Sequence, residues 1–515
     1  MGTAGLIGLT ALGGAAIGFV LQLLVAHYFG ASPETDAYFM ALSTSELLSK
    51  LLLGGSITAV FLPIFVHHLT KNERKEAWLV ALNLFHVVVI VFGLLLLLLA
   101  TFTDTFVTFI APGFSDATQA LTVSLIRLML PAFLLYFLVD LATAILHALK
   151  RFTIPATLRV VAPGVSIICV AAAAQTIGIY ALALGTVLGG AVQLSLLAWD
   201  LGKEGFRYRF ILKPLDPAMK RLWYLSYPFV LAVLVTQGAG IVYRILVSEL
   251  STGSLSTLKY GEKITQLLTI IFLNSVTIVI YPLLSEKASR QDWRGMKDTI
   301  GNAIRLTTFT TVPIILGVAF LREPLISIIY QHGSFSQQAA QMTSQALLFL
   351  IIGLTTNAVS SILGHATLAM QKSRAAVAVT IASQAISIGL FIILVPRMQH
   401  AGLALASSLV PLSSALLYFL YLSRYLPRLA SIFRHRTYAK IALLALLLAS
   451  VLGYLRWGVV SNLPTTTFPT FLFLLLATIL GSVVYFGGAY LWRVPEAHEV
   501  LQMVRRRFNK VSPLL

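Results

Sequence analysis

Residues 87–100 read VVVIVFGLLLLLLA. Strands of a membrane barrel alternate apolar and polar residues, and this run does not alternate. A membrane-crossing helix instead needs about 20 mostly apolar residues, which the surrounding stretch 79–102 provides. The same pattern recurs along the chain, near 6–28, 37–66, 120–147, 154–175, 177–200, 222–248, 256–284, 299–321, 341–368, 375–396, 401–423, 439–460 and 466–492. The expected fold class is therefore all-α, a polytopic membrane protein with about 14 transmembrane helices. An even number of crossings leaves both termini on one side.

Composition supports lipid as the solvent. Of 515 residues, 58% are hydrophobic and 11% charged, whereas soluble domains carry about 25% charged residues. Mean hydropathy is +0.87. So few charges could not cover the surface of a 56.0 kDa soluble body. The net charge of +18 would suggest nucleic acid in a soluble protein. Here the basic residues sit in short loops, and no nucleic-acid partner is expected. One set of loops, with the C-terminal tail, holds 27 Lys and Arg, among them Lys71, Arg151, Arg207, Arg290, Arg428, Arg505, Arg506, Arg507 and Lys510. The opposite set holds 3: Arg322, Arg397 and Arg456. That bias places the first set and both termini in the cytoplasm. The N-terminus lacks a basic segment before its apolar run, which argues against a cleaved signal peptide.

The single cysteine, Cys169, excludes an internal disulfide and thiol–metal clusters. No HExxH, GxSxG, Walker loop or aspartate-rich diphosphate motif is present. The longest loop, 201–221, is too short for a soluble domain. An enzyme or a nucleotide-driven pump is not expected, which leaves channels, secondary transporters, lipid translocases and scaffolds. Gly13, Gly14, Gly18, Gly54, Gly55, Pro131, Pro163, Gly164, Pro228 and Pro411 lie within spans. Close packing through small residues is the plainer account of them, and bending in a transporter is the functional one.

Ionisable residues at membrane depth are costly and mark candidate sites. Lys50 lies midway along the second span, with Glu46 one turn earlier, so the two could form a structural i,i+4 pair. Lys259 and Lys263 lie one turn apart on the eighth span beside Glu262, an arrangement suited to an anion. Lys259 could equally snorkel to the surface. Arg244, Arg127, Arg159 and Arg305 lie nearer span ends, where snorkelling competes with a site role. Asp140 could pair with any of these four. Asp36 opens the second span, where it could cap a helix N-terminus or tune a site. A cavity lined by such cations suits an anionic, polar ligand.

Four stretches carry a family likeness: VAHYFGASPETDAYFMA (25–41), FIAPGFSDAT (109–118), LHALKRFTIPA (146–156) and REPLISIIYQHGSF (322–335). In content, order and spacing they resemble the MviN/MurJ family of lipid II flippases, within the superfamily of multidrug and oligosaccharidyl-lipid exporters. The resemblance implies an N-lobe at 1–200, a cytoplasmic linker at 201–221 and a C-lobe at 222–425, with the two six-helix lobes enclosing a central cavity. Residues 426–515 would supply two further helices, which form a groove for a lipid tail, and a basic tail. It also implies an undecaprenyl-diphosphate-linked saccharide as substrate, moved to the outer leaflet of the bacterial cytoplasmic membrane by alternating access. Lys50, Lys263, Lys259 and Arg244 are the expected substrate ligands. Asp36, Glu46, Glu262 and Asp140 are the expected gating or tuning residues. No metal or cofactor is expected. Membrane potential, sodium and protons all stand open as driving forces, and cell-wall or polysaccharide synthesis proteins as partners.

The chain also departs from the family pattern. Where the family places arginines in the first span, this chain reads AAIGFVLQL (15–23), with Ala15 and Leu21 at those positions. The double arginine of the second span is Ser49-Lys50, followed by Leu53-Gly54-Gly55-Ser56 in place of AEGA. The A-D-R of the eighth span is Gly261-Glu262-Lys263. Lysine lacks the bidentate grip of arginine on phosphate. Lipid II is the leading cargo. Another lipid-linked oligosaccharide and a transport-inactive scaffold remain as alternatives. An antiporter for cationic drugs would want unpaired acids at depth, and a membrane enzyme would want catalytic carboxylates.

Overall fold

A computed structural model describes residues 3–53, 56–71, 73–214, 216–272, 274–458 and 467–498. Gly54, Gly55, Arg505, Arg506, Arg507 and Lys510 lie outside that set. The described residues are mostly helical and contain no strand. In lipid this is one of two ways to satisfy every backbone N–H and C=O internally.

The helices are α1 (Thr3–Phe29), α2 (Pro33–Leu53), α3 (Ser56–Thr70), α4 (Arg74–Thr101), α5 (Thr103–Ile110), α6 (Asp116–Ala148), α7 (Thr153–Ile177), α8 (Tyr180–Lys203), α9 (Pro217–Ser248), α10 (Ser254–Phe272), α11 (Asn274–Ser289), α12 (Trp293–Tyr330), α13 (Gln337–Ala369), α14 (Ser373–Leu422), α15 (Arg436–Gly458) and α16 (Thr467–Ser482). Among the described residues, ten helices are long and apolar enough to cross a membrane. One of these, α14, is 50 residues long and contains two of the expected spans. The chain reverses between them at Gln399, whose φ of 52° lies in the left-handed region. The second and eighth expected spans are each built from two helices, α2 with α3 and α10 with α11.

The chain divides into two compact units, Met1–Lys259 with Gly333–Ser336, and Tyr260–His332 with Gln337–Leu515. In the first unit α1 packs on α7, α7 on α8, α8 on α6 and α6 on α2, while α9 packs on α2, α3 and α5. Small residues allow these approaches. A Cβ on Gly14 would lie 2.7 Å from Arg159 Cβ on α7, the close packing that drives helix association where lipid offers no hydrophobic contrast. In the second unit α13 packs on both α12 and α14, and α15 and α16 pack on α12. Two apolar clusters hold this unit together. One joins α11–α14 around Leu284, Ile300 and Leu422. The other joins α12, α15, α16 and the helical turn that follows α16 (Val483–Gly487), around Phe309, Leu444, Leu452 and Tyr485.

The expected linker is clamped within the first unit. Glu204 pairs with Arg151 at 2.5 Å and with Arg74 at 2.9 Å. Beyond it, Asn83 of α4 donates to the Lys213 carbonyl and accepts from the Lys213 N–H. His86 Nε2 meets Tyr208 Oη at 3.1 Å, and Trp78 packs edge-on against Phe206. The two guanidiniums, Arg151 first, hold the Glu204 carboxyl below its ordinary 4.5. A depressed carboxylate stabilises the fold fully above its unfolded value and loses that contribution as pH falls through the lowered one. The protection of amides in 201–213 from hydrogen exchange, measured relative to the intrinsic rate at each pH, should therefore fall as pH is lowered below about 4.5. Glu204→Gln should lower that protection at neutral pH and flatten its pH response.

Candidate functional site

Residues from three of the four family-like stretches meet in the first unit, at the helix ends that the loop charges assign to the outside. α2 begins with a reciprocal cap, in which the Ser32 N–H donates to Thr35 Oγ1 and the Thr35 N–H donates to Ser32 Oγ. This cap sets the position of Asp36, which is buried. Asp36 does not cap its own helix. Its carboxylate accepts from the Gly253 N–H at 2.6 Å, the Ser256 N–H at 2.8 Å and Ser256 Oγ at 2.5 Å. These are the donors at the start of α10, and a carboxylate is favoured there by the unpaired N–H groups and by the helix dipole. Asp36 is therefore a cap supplied from another helix, and it ties α2 to the turn between α9 and α10.

The backbone around this tie is too crowded for side chains. Gly253 has φ +83°, and a Cβ there would meet the Ala31 carbonyl at 2.8 Å. Gly113, in the APGF segment, donates its N–H to Ser248 Oγ, and a Cβ on it would lie 2.4 Å from Glu249 Cα. Ser334, in the HGSF segment, donates its N–H to the His27 carbonyl and its hydroxyl to the Tyr28 carbonyl. Short-range sequence reading did not show these partners of Asp36. The signal for them was the Gly-Ser-Leu-Ser run at 253–256, a helix start with no acid of its own.

Arg244 is buried rather than snorkelled, at 8% exposure. Its Nε donates to Ser43 Oγ at 2.9 Å and its Nη2 to the Ser43 carbonyl at 2.8 Å, joining α9 to α2. Its Nη1 is buried without a hydrogen-bond partner. Glu46 lies one turn beyond Ser43 and is exposed. Lys50 is one turn further along α2, and its side chain lies outside the described residues. Lys259 and Lys263 are one turn apart on α10 as expected, and Lys259, Glu262 and Lys263 are each half-buried. Asp140 is exposed on α6. The pairing considered for it is replaced at three of the four arginines: Arg127 pairs with Asp104, Arg305 with Glu496, and Arg244 bonds Ser43.

In the second unit an apolar cavity of about 500 Å³ lies among α10, α12, α15 and α16. Its walls include Ile314, Leu321, Leu448, Leu452, Leu474 and Phe486. Gly317 and Gly481 also line it, and the small size of these two residues leaves room between the helices. No group of three or more His, Cys, Asp or Glu residues is placed to hold a metal among the described residues.

A helical membrane transporter is the class that this fold defines. A family model described as lipid II flippase MurJ matches residues 25–478. The chain belongs to that family. A probable lipid II flippase MurJ from Rickettsia prowazekii (strain Madrid E) is 23% identical over 93% of this chain and 94% of its own length. The lipid II flippase MurJ of Burkholderia cenocepacia is 27% identical over 79% of this chain and 80% of its own. A solved lipid II flippase MurJ in an inward closed conformation matches with a TM-score of 0.76 at 23% identity, over 93% of this chain and 98% of that one. An inward-facing multidrug transporter of the MATE family matches with a TM-score of 0.68 at 14% identity, over 81% of this chain and 95% of that one.

Two substitutions test the tie at α10. Asp36→Ala should lower stability by about 0.5–2 kcal/mol, the usual cost of a lost cap. Gly113→Ala should cost about 1–3 kcal/mol through overpacking. Thermal unfolding of the detergent-solubilised protein measures both. Wild-type stability in either variant would contradict the geometry described.

Proposed function

We propose that this protein moves lipid II, an undecaprenyl-diphosphate-linked saccharide, from the cytoplasmic to the outer leaflet of the bacterial cytoplasmic membrane. The observation that carries this reading is the extent of the family match, 25–478, which leaves few helices outside it. The chemistry agrees. A diphosphate with its sugars loses its water on entering hydrocarbon, at a cost of several kcal/mol for each unpaired polar group. A flippase must offer polar partners to the head while the prenyl chain stays in an apolar medium. The cavity of the second unit supplies an apolar lining for the chain. Lys50 and Lys263 are the cations assigned to the diphosphate, with Lys259 supporting them. The burial of Arg244 against Ser43 favours a structural part for that residue. Asp36, through its hold on the start of α10, is assigned to gating, and Glu46, Glu262 and Asp140 to tuning the local charge.

The protein is a transporter in this reading, working by alternating access between lobes with both termini in the cytoplasm. With the cell interior negative, outward movement of an anion is favoured by about 2.3 kcal/mol per charge per 100 mV. Lys50→Ala with Lys263→Ala should abolish complementation of a flippase-depleted strain while leaving membrane abundance unchanged. Lys263→Arg should retain function, because arginine keeps the charge and adds a bidentate grip. Full complementation by the double variant would reject these two lysines as the diphosphate ligands.

A further inference from the structure

Against 27 basic residues in the cytoplasmic loops and tail, only Arg322, Arg397 and Arg456 fall in the outer set. Two of those three converge on one carboxylate in the second unit. Arg322 Nη2 lies 3.2 Å and Arg456 Nη2 2.7 Å from Glu323 Oε1. Two guanidiniums on one acid leave a net positive charge. Arg322 is held further by donation from Nη1 to the Ala319 carbonyl, while its Nε is buried without a partner. Glu323, half-exposed at 51%, is the removable member of the group.

The position of this cluster gives it meaning. Arg322 sits between Leu321 and Leu325 on α12, and Arg456 lies one turn beyond Leu452 on α15; all three leucines line the apolar cavity. Neither arginine is itself a lining residue, but each lies within one turn of a lining leucine, beside the end of the cavity that the loop charges assign to the outside. Tyr454 and Trp457, on either side of Arg456, are 76% and 82% exposed. Such aromatic residues collect at the headgroup level of a membrane. An apolar slot running inward from a cationic pair at headgroup depth matches a lipid with a phosphate head and a long chain. Arginine is the side chain best shaped to hold phosphate oxygens in pairs.

We propose that Arg322 and Arg456 form a phosphate station beside the outer end of this cavity, taking the diphosphate of a prenyl-linked lipid whose first isoprene units lie in the cavity. Resting on the transport reading above, the station holds the product after its head has reached the outer leaflet. Glu323 occupies the arginines when the lipid has left.

Native mass spectrometry of the full-length protein in nanodiscs tests this, with undecaprenyl diphosphate as probe and phosphatidylglycerol as competitor. The measurement is made in a Lys50→Ala/Lys263→Ala background, so that retained probe does not report those lysines. Adding Arg322→Gln and Arg456→Gln should cut probe retention at least tenfold, the loss of about 1.4 kcal/mol or more, with little change in phosphatidylglycerol. Glu323→Gln, which leaves both arginines in place, should raise retention. Unchanged retention in the glutamine variants, no gain with Glu323→Gln, or an equal loss of both lipids would each overturn the proposal; the last would mark a general phospholipid site. Absence of lipid II transport by the wild-type protein would defeat the transport reading, while probe retention would still report on the station.

Discussion

The hydration of a diphosphate is the constraint on which the rest depends. Hydrocarbon offers it no partner, and the backbone of any protein that carries it has the same difficulty. Across the described residues the chain meets the backbone requirement with helices, since each satisfies its own N–H and C=O groups. It meets the other by sparing use of charge. Only 11% of residues are charged, and several that lie within or beside the helices have defined partners: Asp36 at the start of α10, Arg244 on Ser43, Arg305 on Glu496. The lysines of the second and eighth spans are the cations assigned to the cargo.

The tie between Asp36 and α10 joins two helices through one small group. A buried carboxylate is costly unless it is well hydrogen-bonded, and Asp36 accepts three bonds from two residues more than two hundred positions away. Releasing it would expose a charge and leave the first N–H groups of α10 unpaired. Such a contact is stable as a unit or lost as a unit. Gly253 and Gly113 let the backbones come close enough for the bonds to form.

Much of the architecture was legible in the sequence because apolar runs of helical length are a strong signal. The reversal inside α14 falls within Arg397–His400, a largely polar break between two apolar runs that marks the boundary of the eleventh and twelfth spans in the sequence itself. The loop charges and the four family-like stretches carried the rest. What the sequence did not reveal were partners distant along the chain. Nothing local to Arg244 points to Ser43, and nothing local to Asp36 points to Gly253, since helical periodicity describes a face and not what covers it. Likewise Arg322 and Arg456 read as isolated exceptions to a charge rule, and their convergence on Glu323 is visible only in the fold.

The loss of the first-span arginines at Ala15 and Leu21 makes direct transport the decisive observation. Purified protein in sealed proteoliposomes, supplied with fluorescent lipid II in the inner leaflet, should expose the label to an external quencher faster than protein-free vesicles do. The Lys50→Ala/Lys263→Ala variant should match the empty vesicles. Exposure by the wild-type protein no faster than in empty vesicles, under an imposed inside-negative potential, would contradict the account.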